Sequence, residues 1–63
     1  MYITYRDELG ITCVEVDGCV YISDGYAYFI VGHVIDDVQG PELCEGKDMK
    51  VAVDNVMEIG TSF

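Results

Sequence analysis

The stretch Val14-Glu15-Val16-Asp17-Gly18-Cys19-Val20-Tyr21-Ile22-Ser23-Asp24-Gly25-Tyr26-Ala27-Tyr28-Phe29-Ile30-Val31-Gly32-His33-Val34 decides the fold. It is dense in β-branched and aromatic residues, which suit a pleated, partly buried surface, and two Asp-Gly pairs punctuate it. Asp-Gly fits a two-residue type I′ turn, in which both central residues need positive φ. The expectation is two tight hairpins, with Val16 opposite Cys19, Val14 opposite Tyr21, and Tyr21 opposite Tyr28. One face would then carry Val14, Val16, Cys19, Tyr21, Tyr28 and Ile30. The other would carry Cys13, Val20, Ile22, Ala27, Phe29 and Val31, with Glu15 as its one charge. An antiparallel sheet in a small domain normally alternates apolar-in and polar-out. The segment Tyr26 to Ile35 does not alternate, so one face needs the chain's own core and the other needs a second subunit.

Outward from this run, glycines at 10, 18, 25, 32 and 40 recur every seven or eight residues. That is strand-plus-turn spacing, and no segment sustains a helical apolar period. Strands are expected at about 2–6, 11–16, 19–23, 26–35, 49–54 and 57–62. The segment 39–48, with Pro41, two glycines and mixed charge, reads as a loop. Pro41 suits the first turn of a short helical segment reaching Cys44. The fold class is all-β: a small antiparallel meander or partly open barrel of five to six short strands, in one domain spanning 1–63.

The C-terminal segment Val51-Ala52-Val53-Asp54-Asn55-Val56-Met57-Glu58-Ile59 resembles the strand–turn–strand closure of Sm-like and SH3-like small barrels. That resemblance implies a short helical turn at Asp54-Asn55 and a last strand with Val56 and Ile59 pointing inward. Met1-Tyr2-Ile3-Thr4-Tyr5-Arg6 with Gly10 resembles the start of the carbon-storage regulator family of RNA-binding dimers. Those families use basic residues near the strand ends; this chain has Asp54 and Glu58 there, so RNA binding is not carried over.

Size and composition turn the two apolar faces into an argument for assembly. A domain of 63 residues buries only about 60% of its unfolded surface, and its core supplies roughly 3–5 kcal/mol. With 51% of residues hydrophobic, apolar supply exceeds what one copy can hide. Each Phe, Ile or Val left in water forfeits roughly 1.5–3 kcal/mol. A homodimer or larger ring is therefore expected, with Tyr21, Tyr28, Phe29, Ile30 and Val31 at the subunit contact.

Charge and cysteine content exclude other classes. Twelve acids stand against three bases (Arg6, Lys47 and Lys50), a net charge of −9. Nucleic-acid binding needs Lys and Arg to displace counterions, so a direct nucleic-acid partner is not expected. No apolar run approaches the ~20 residues of a membrane span. The opening residues read as strand rather than as a basic segment followed by an apolar one, and the three cysteines are odd in number with no CxxC spacing. Free, buried thiols in a reducing cytoplasm follow, the host's cytoplasm if the chain is viral.

Chemistry-bearing groups are few. No nucleophile–base–acid set can be assembled from one histidine and three thiols, and no glycine-rich phosphate loop opens a helix, so neither catalysis nor a cofactor is expected. His33 in a regular strand shares a face with Ile35 and not with Asp36, so no metal set converges. What remains is binding. The composition resembles small acidic proteins of phages and mobile elements that block nucleic-acid enzymes. This resemblance implies a self-associating protein that inhibits a host defence or nucleic-acid-handling protein through an acidic edge of Asp36, Asp37, Glu42, Glu45 and Asp48. The alternative is an oligomer that binds or sequesters a nucleotide-like ligand, with Tyr5, Arg6, Tyr26, Tyr28 and Lys50 around it. A second alternative is a structural subunit without a ligand.

Overall fold

One long strand organises the sheet. In the computed structural model, which describes residues 1–8, 10–37 and 45–61 (36 and 37 as backbone alone), strand β4 runs from Tyr26 to Asp37. Around it lie β1 (Tyr2–Asp7), β2 (Gly10–Val16), β3 (Tyr21–Ser23), β5 (Asp48–Ala52), a 3-10 turn (Val53–Asn55) and β6 (Val56–Gly60). The strand order is β3-β4-β2-β1-β6, with β5 also paired to β4, and every pairing is antiparallel. The result is an all-β, curled half-barrel. The helical turn expected near Pro41 to Cys44 lies outside the described residues.

The two Asp-Gly pairs behave differently. Asp24 (φ 54°) and Gly25 (φ 82°) both take positive φ, and Tyr21 stands opposite Tyr28 in the hairpin they close. Asp17-Gly18 does not reverse the chain. Strands β2 and β3 are both antiparallel to β4, so they run in the same direction, which a hairpin between them forbids. Gly18 (φ 89°) bends the chain instead, and Asp17 N–H donates to Ile30 C=O at 2.8 Å, carrying the pairing along β4. The expected Val16–Cys19 and Val14–Tyr21 pairs are therefore absent, and the strand expected from 19 begins at Tyr21.

This change decides which face is core. Val14 and Val16 join Ala27, Phe29 and Val31 inside, together with Ile3, Tyr5 and Val51, and the Tyr5 and Phe29 rings lie 5.8 Å apart. Thr12 is fully buried among them. Bulges make the curl. Val16 pairs with Val31 but Glu15 with His33, and Val14 pairs with Val34 but Cys13 with Asp36, leaving Gly32 and Ile35 as extra residues in β4. Such insertions bend a strand and add twist. Gly32 fits the first closely, because a Cβ there would lie 3.2 Å from Asp17 N and Glu15 O and the two strands would have to part slightly.

The C-terminal closure takes the strand–3-10–strand form. Val56 packs against the core, whereas Ile59, opposite buried Ile3, stays 39% exposed because β6 is an edge strand. A third bulge, at Met57, shifts β6 so that its pairing with β1 ends at Tyr5 and Val56. Beyond that point, among the described residues, no strand pairs with the outer side of Arg6 and Asp7.

Candidate functional site

The outside of the half-barrel divides into an acidic face, an aromatic face and a cleft between them. Across β6, β1, β2 and the second half of β4, the register aligns Glu58, Thr4, Cys13 and Asp36 in one row. The next row aligns Gly60, Tyr2, Glu15 and His33, and Glu45 reaches His33 Nδ1 at 3.6 Å. Tyr2 packs over Gly60 and keeps its phenol above the ordinary value of 10.0, through burial first and then the neighbouring, hydrogen-bonded Glu58 carboxylate.

The acids expected to form one edge are split. Asp36 and Glu45 belong to this face; Asp37 stands opposite Thr12; Asp48 stands opposite Ile30 on the other sheet; Glu42 lies outside the described residues. Glu15 and Glu58 join the face unforeseen, because the strand pairing that aligns them is set by residues remote in the chain. The bulge at Ile35 also corrects the parity argument for His33. Asp36 and His33 stand opposite Cys13 and Glu15, two residues apart on β2 and so on one face.

The aromatic face is the outside of β3, β4 and β5. Tyr21, Tyr26 and Ile30 are exposed there and Tyr28 is half-buried, with Tyr21 and Tyr28 ring centroids 6.3 Å apart. Lys50 lays its ammonium 4.2 Å from the Tyr26 ring centre and 5.9 Å from that of Tyr28. Phe29 and Val31, expected at a subunit contact with Tyr21, Tyr28 and Ile30, are instead 4% and 0% exposed. They are core, since alternation along β4 sends them toward Val14 and Val16. A groove of about 410 Å³ beside this face runs between Asp17, Cys19, Ile30 and Asp48.

Between β1 and β5 the half-barrel stays open. A cleft of about 450 Å³ there is lined by Tyr5, Arg6, Met49, Lys50, Val51 and Asn55 together with the acids Asp7 and Glu8. Three of the five residues expected around a ligand, Tyr5, Arg6 and Lys50, thus meet at one place. Tyr26 and Tyr28 stand apart from it, beneath Lys50 on the outer face. Asp7 Oδ1 accepts the Gly10 N–H at 3.0 Å, holding the β1–β2 turn.

The thiols are less enclosed than expected. Cys13 is half-buried and Cys19 is exposed in the bend after β2, because Cys19 no longer faces Val16; Cys44 lies outside the described residues. Among the described residues no three His, Cys, Asp or Glu side chains gather as a metal set, and no helix is long and apolar enough to cross a membrane. No protein-family model, curated protein or solved structure matches the chain.

Proposed function

We propose that the chain is a small acidic, self-associating protein that acts by binding. Its aromatic face joins copies, and its acidic face meets a basic partner protein. The observation that supports this reading is the chemical separation of the two outer faces. Exposed Tyr21, Tyr26 and Ile30 share their face with one acid and one base, Asp48 and Lys50. A two-fold contact sets each surface against itself, so Lys50 of one copy can meet Asp48 of the other. Elsewhere a net charge of −9 makes copies repel.

The opposite face holds Glu15, Glu58 and Glu45 exposed on or beside paired strands, which lie about 4.8 Å apart. Carboxylates fixed on a sheet offer a basic groove what nucleic-acid phosphates offer it. The partner class is accordingly a nucleic-acid-handling or defence protein of a host, and occupation of its groove inhibits it. Light scattering over a concentration series tests the first half. Wild type should exceed its 7.0 kDa monomer mass, and Tyr21→Ser with Ile30→Lys should return it to monomer. Titration of a basic nucleic-acid-binding domain at low and high salt tests the second. Binding should weaken steeply with salt and fail for Glu15→Lys with Glu58→Lys, but not for Asp24→Lys on the hairpin turn. A monomeric wild type at every concentration sinks self-association; salt-independent binding sinks the acidic face.

A further inference from the structure

We infer that the cleft between β1 and β5 is a binding site for a small phosphomonoester carrying a ring, of the nucleoside monophosphate class. The inference does not rest on the proposed function, although Lys50 takes part in both. Two of the three bases in a chain of net charge −9 line this one opening, Arg6 from β1 and Lys50 from β5, beside the carboxylates of Asp7 and Glu8.

The backbone adds a donor at Lys50. In an antiparallel ladder, successive residues turn their N–H and C=O to opposite edges. Val31 bonds Lys47 C=O and Gly46 N–H on the β5 side, so Phe29 and Ala27 do the same with Met49 and Val51, their register partners. Lys50 then turns its own N–H and C=O away from β4, toward the cleft. The two walls thus bring two cations and the Lys50 strand-edge N–H to one opening, a set suited to several oxygens of one anion.

The rest of the cleft suits an apolar ring. Tyr5, Met49 and Val51 form its inner surface, and the Asn55 amide offers both a donor and an acceptor to a base edge. Its volume of about 450 Å³ lies within the usual range for small-ligand pockets, about 300–1,000 Å³.

The test is a titration followed by backbone amide NMR shifts, with adenosine monophosphate, inorganic phosphate and adenosine as separate probes. The monophosphate should move the Arg6, Lys50 and Asn55 signals and bind at least about tenfold tighter than phosphate or adenosine alone, since each lacks half of the contacts. Arg6→Gln and Lys50→Gln should each weaken it by about tenfold, while Lys47→Gln, outside the cleft, leaves affinity unchanged. Preserved amide spectra show that the variants fold. Three results would overturn the inference: no shifts with the monophosphate, equal losses for Lys47→Gln and Arg6→Gln, or an acidic peptide moving the same signals more strongly than the nucleotide.

Discussion

Truncating two neighbours on β4 should have very unequal consequences, and the contrast tests the placement of the core. Phe29 is 4% exposed and its ring lies tilted against that of Tyr5 at 5.8 Å, whereas Ile30 is 40% exposed on the outer face. Phe29→Ala removes a ring from a closed interior, which costs about 3–5 kcal/mol including the cavity. The lost aromatic pairing, about 0.5–1.5 kcal/mol in such geometry, points to the upper part of that range. A core of this size supplies roughly 3–5 kcal/mol in all, so Phe29→Ala should lack a cooperative melt. Ile30→Ala gives up only part of a side chain whose full burial is worth roughly 1.5–3 kcal/mol, or about 1 kcal/mol here. For a domain this small that lowers Tm by about 4–8 °C. The assay is thermal and urea unfolding by circular dichroism, at dilutions where light scattering reports monomer. If Phe29→Ala melts like wild type, or if the two variants lose the same stability, the assignment of faces along β4 is wrong.

Three further substitutions probe separate features. Gly32→Ala forces a methyl to within 3.2 Å of two backbone atoms of β2 and should lower the urea midpoint by an equivalent of about 1–3 kcal/mol; an unchanged midpoint would mean the bulge relaxes freely. Thr12 Oγ1 is buried with no hydrogen-bond partner among the described residues, so Thr12→Val should raise stability by about 1 kcal/mol, and a loss would reveal a partner for the hydroxyl. Tyr2 is raised above 10.0 by burial and by Glu58, so its neutral form is the one the fold favours. Its contribution is complete below pH 10.0 and is lost as pH rises through the higher folded value. Tyr2→Phe should therefore lose less stability than wild type in alkaline urea titrations, and identical profiles would contradict the shift.

Much of the fold was legible because β-rich runs and turn residues carry local signals. Asp24-Gly25 formed the turn its residues specify. Asp17-Gly18 bears the same signal and was misread, because a tertiary fact overrode it: β4 is long enough to pair with β2 and β3 in succession. The parity of Tyr26 to Ile30 followed from Asp24-Gly25, yet both sides of that strand are apolar. Only the pairing of β2 with β4 reveals that Phe29 rather than Ile30 is core. Bulges are harder still. Gly32 hints at one, but Ile35 and Met57 look like ordinary strand residues, and each extra residue reverses every later face. The acidic face was half legible for that reason. Asp36 and Glu45 stood out as acids near a strand end, while Glu15 and Glu58 required the full register.

Lys50 belongs to both surfaces, and this makes the two proposals interdependent in a measurable way. Its ammonium rests on Tyr26 at 4.2 Å, an exposed cation–π contact worth about 0.5–1 kcal/mol, and the same residue lines the cleft. A phosphate bound beside Arg6 competes with the ring for that ammonium and withdraws it from Asp48 of a neighbouring copy. Linkage then requires assembly to weaken ligand binding by the same factor by which ligand weakens assembly. The two-fold contact makes this ion pair twice, each copy contributing up to about 1 kcal/mol, so saturating nucleoside monophosphate should raise the dissociation constant of the assembly up to about thirtyfold. Lys50→Gln should abolish the coupling, and Arg6→Gln should keep it but need about tenfold more ligand to reach it. Light-scattering profiles that do not change at saturation, with Arg6-dependent binding intact, would show that the cleft and the aromatic face act independently.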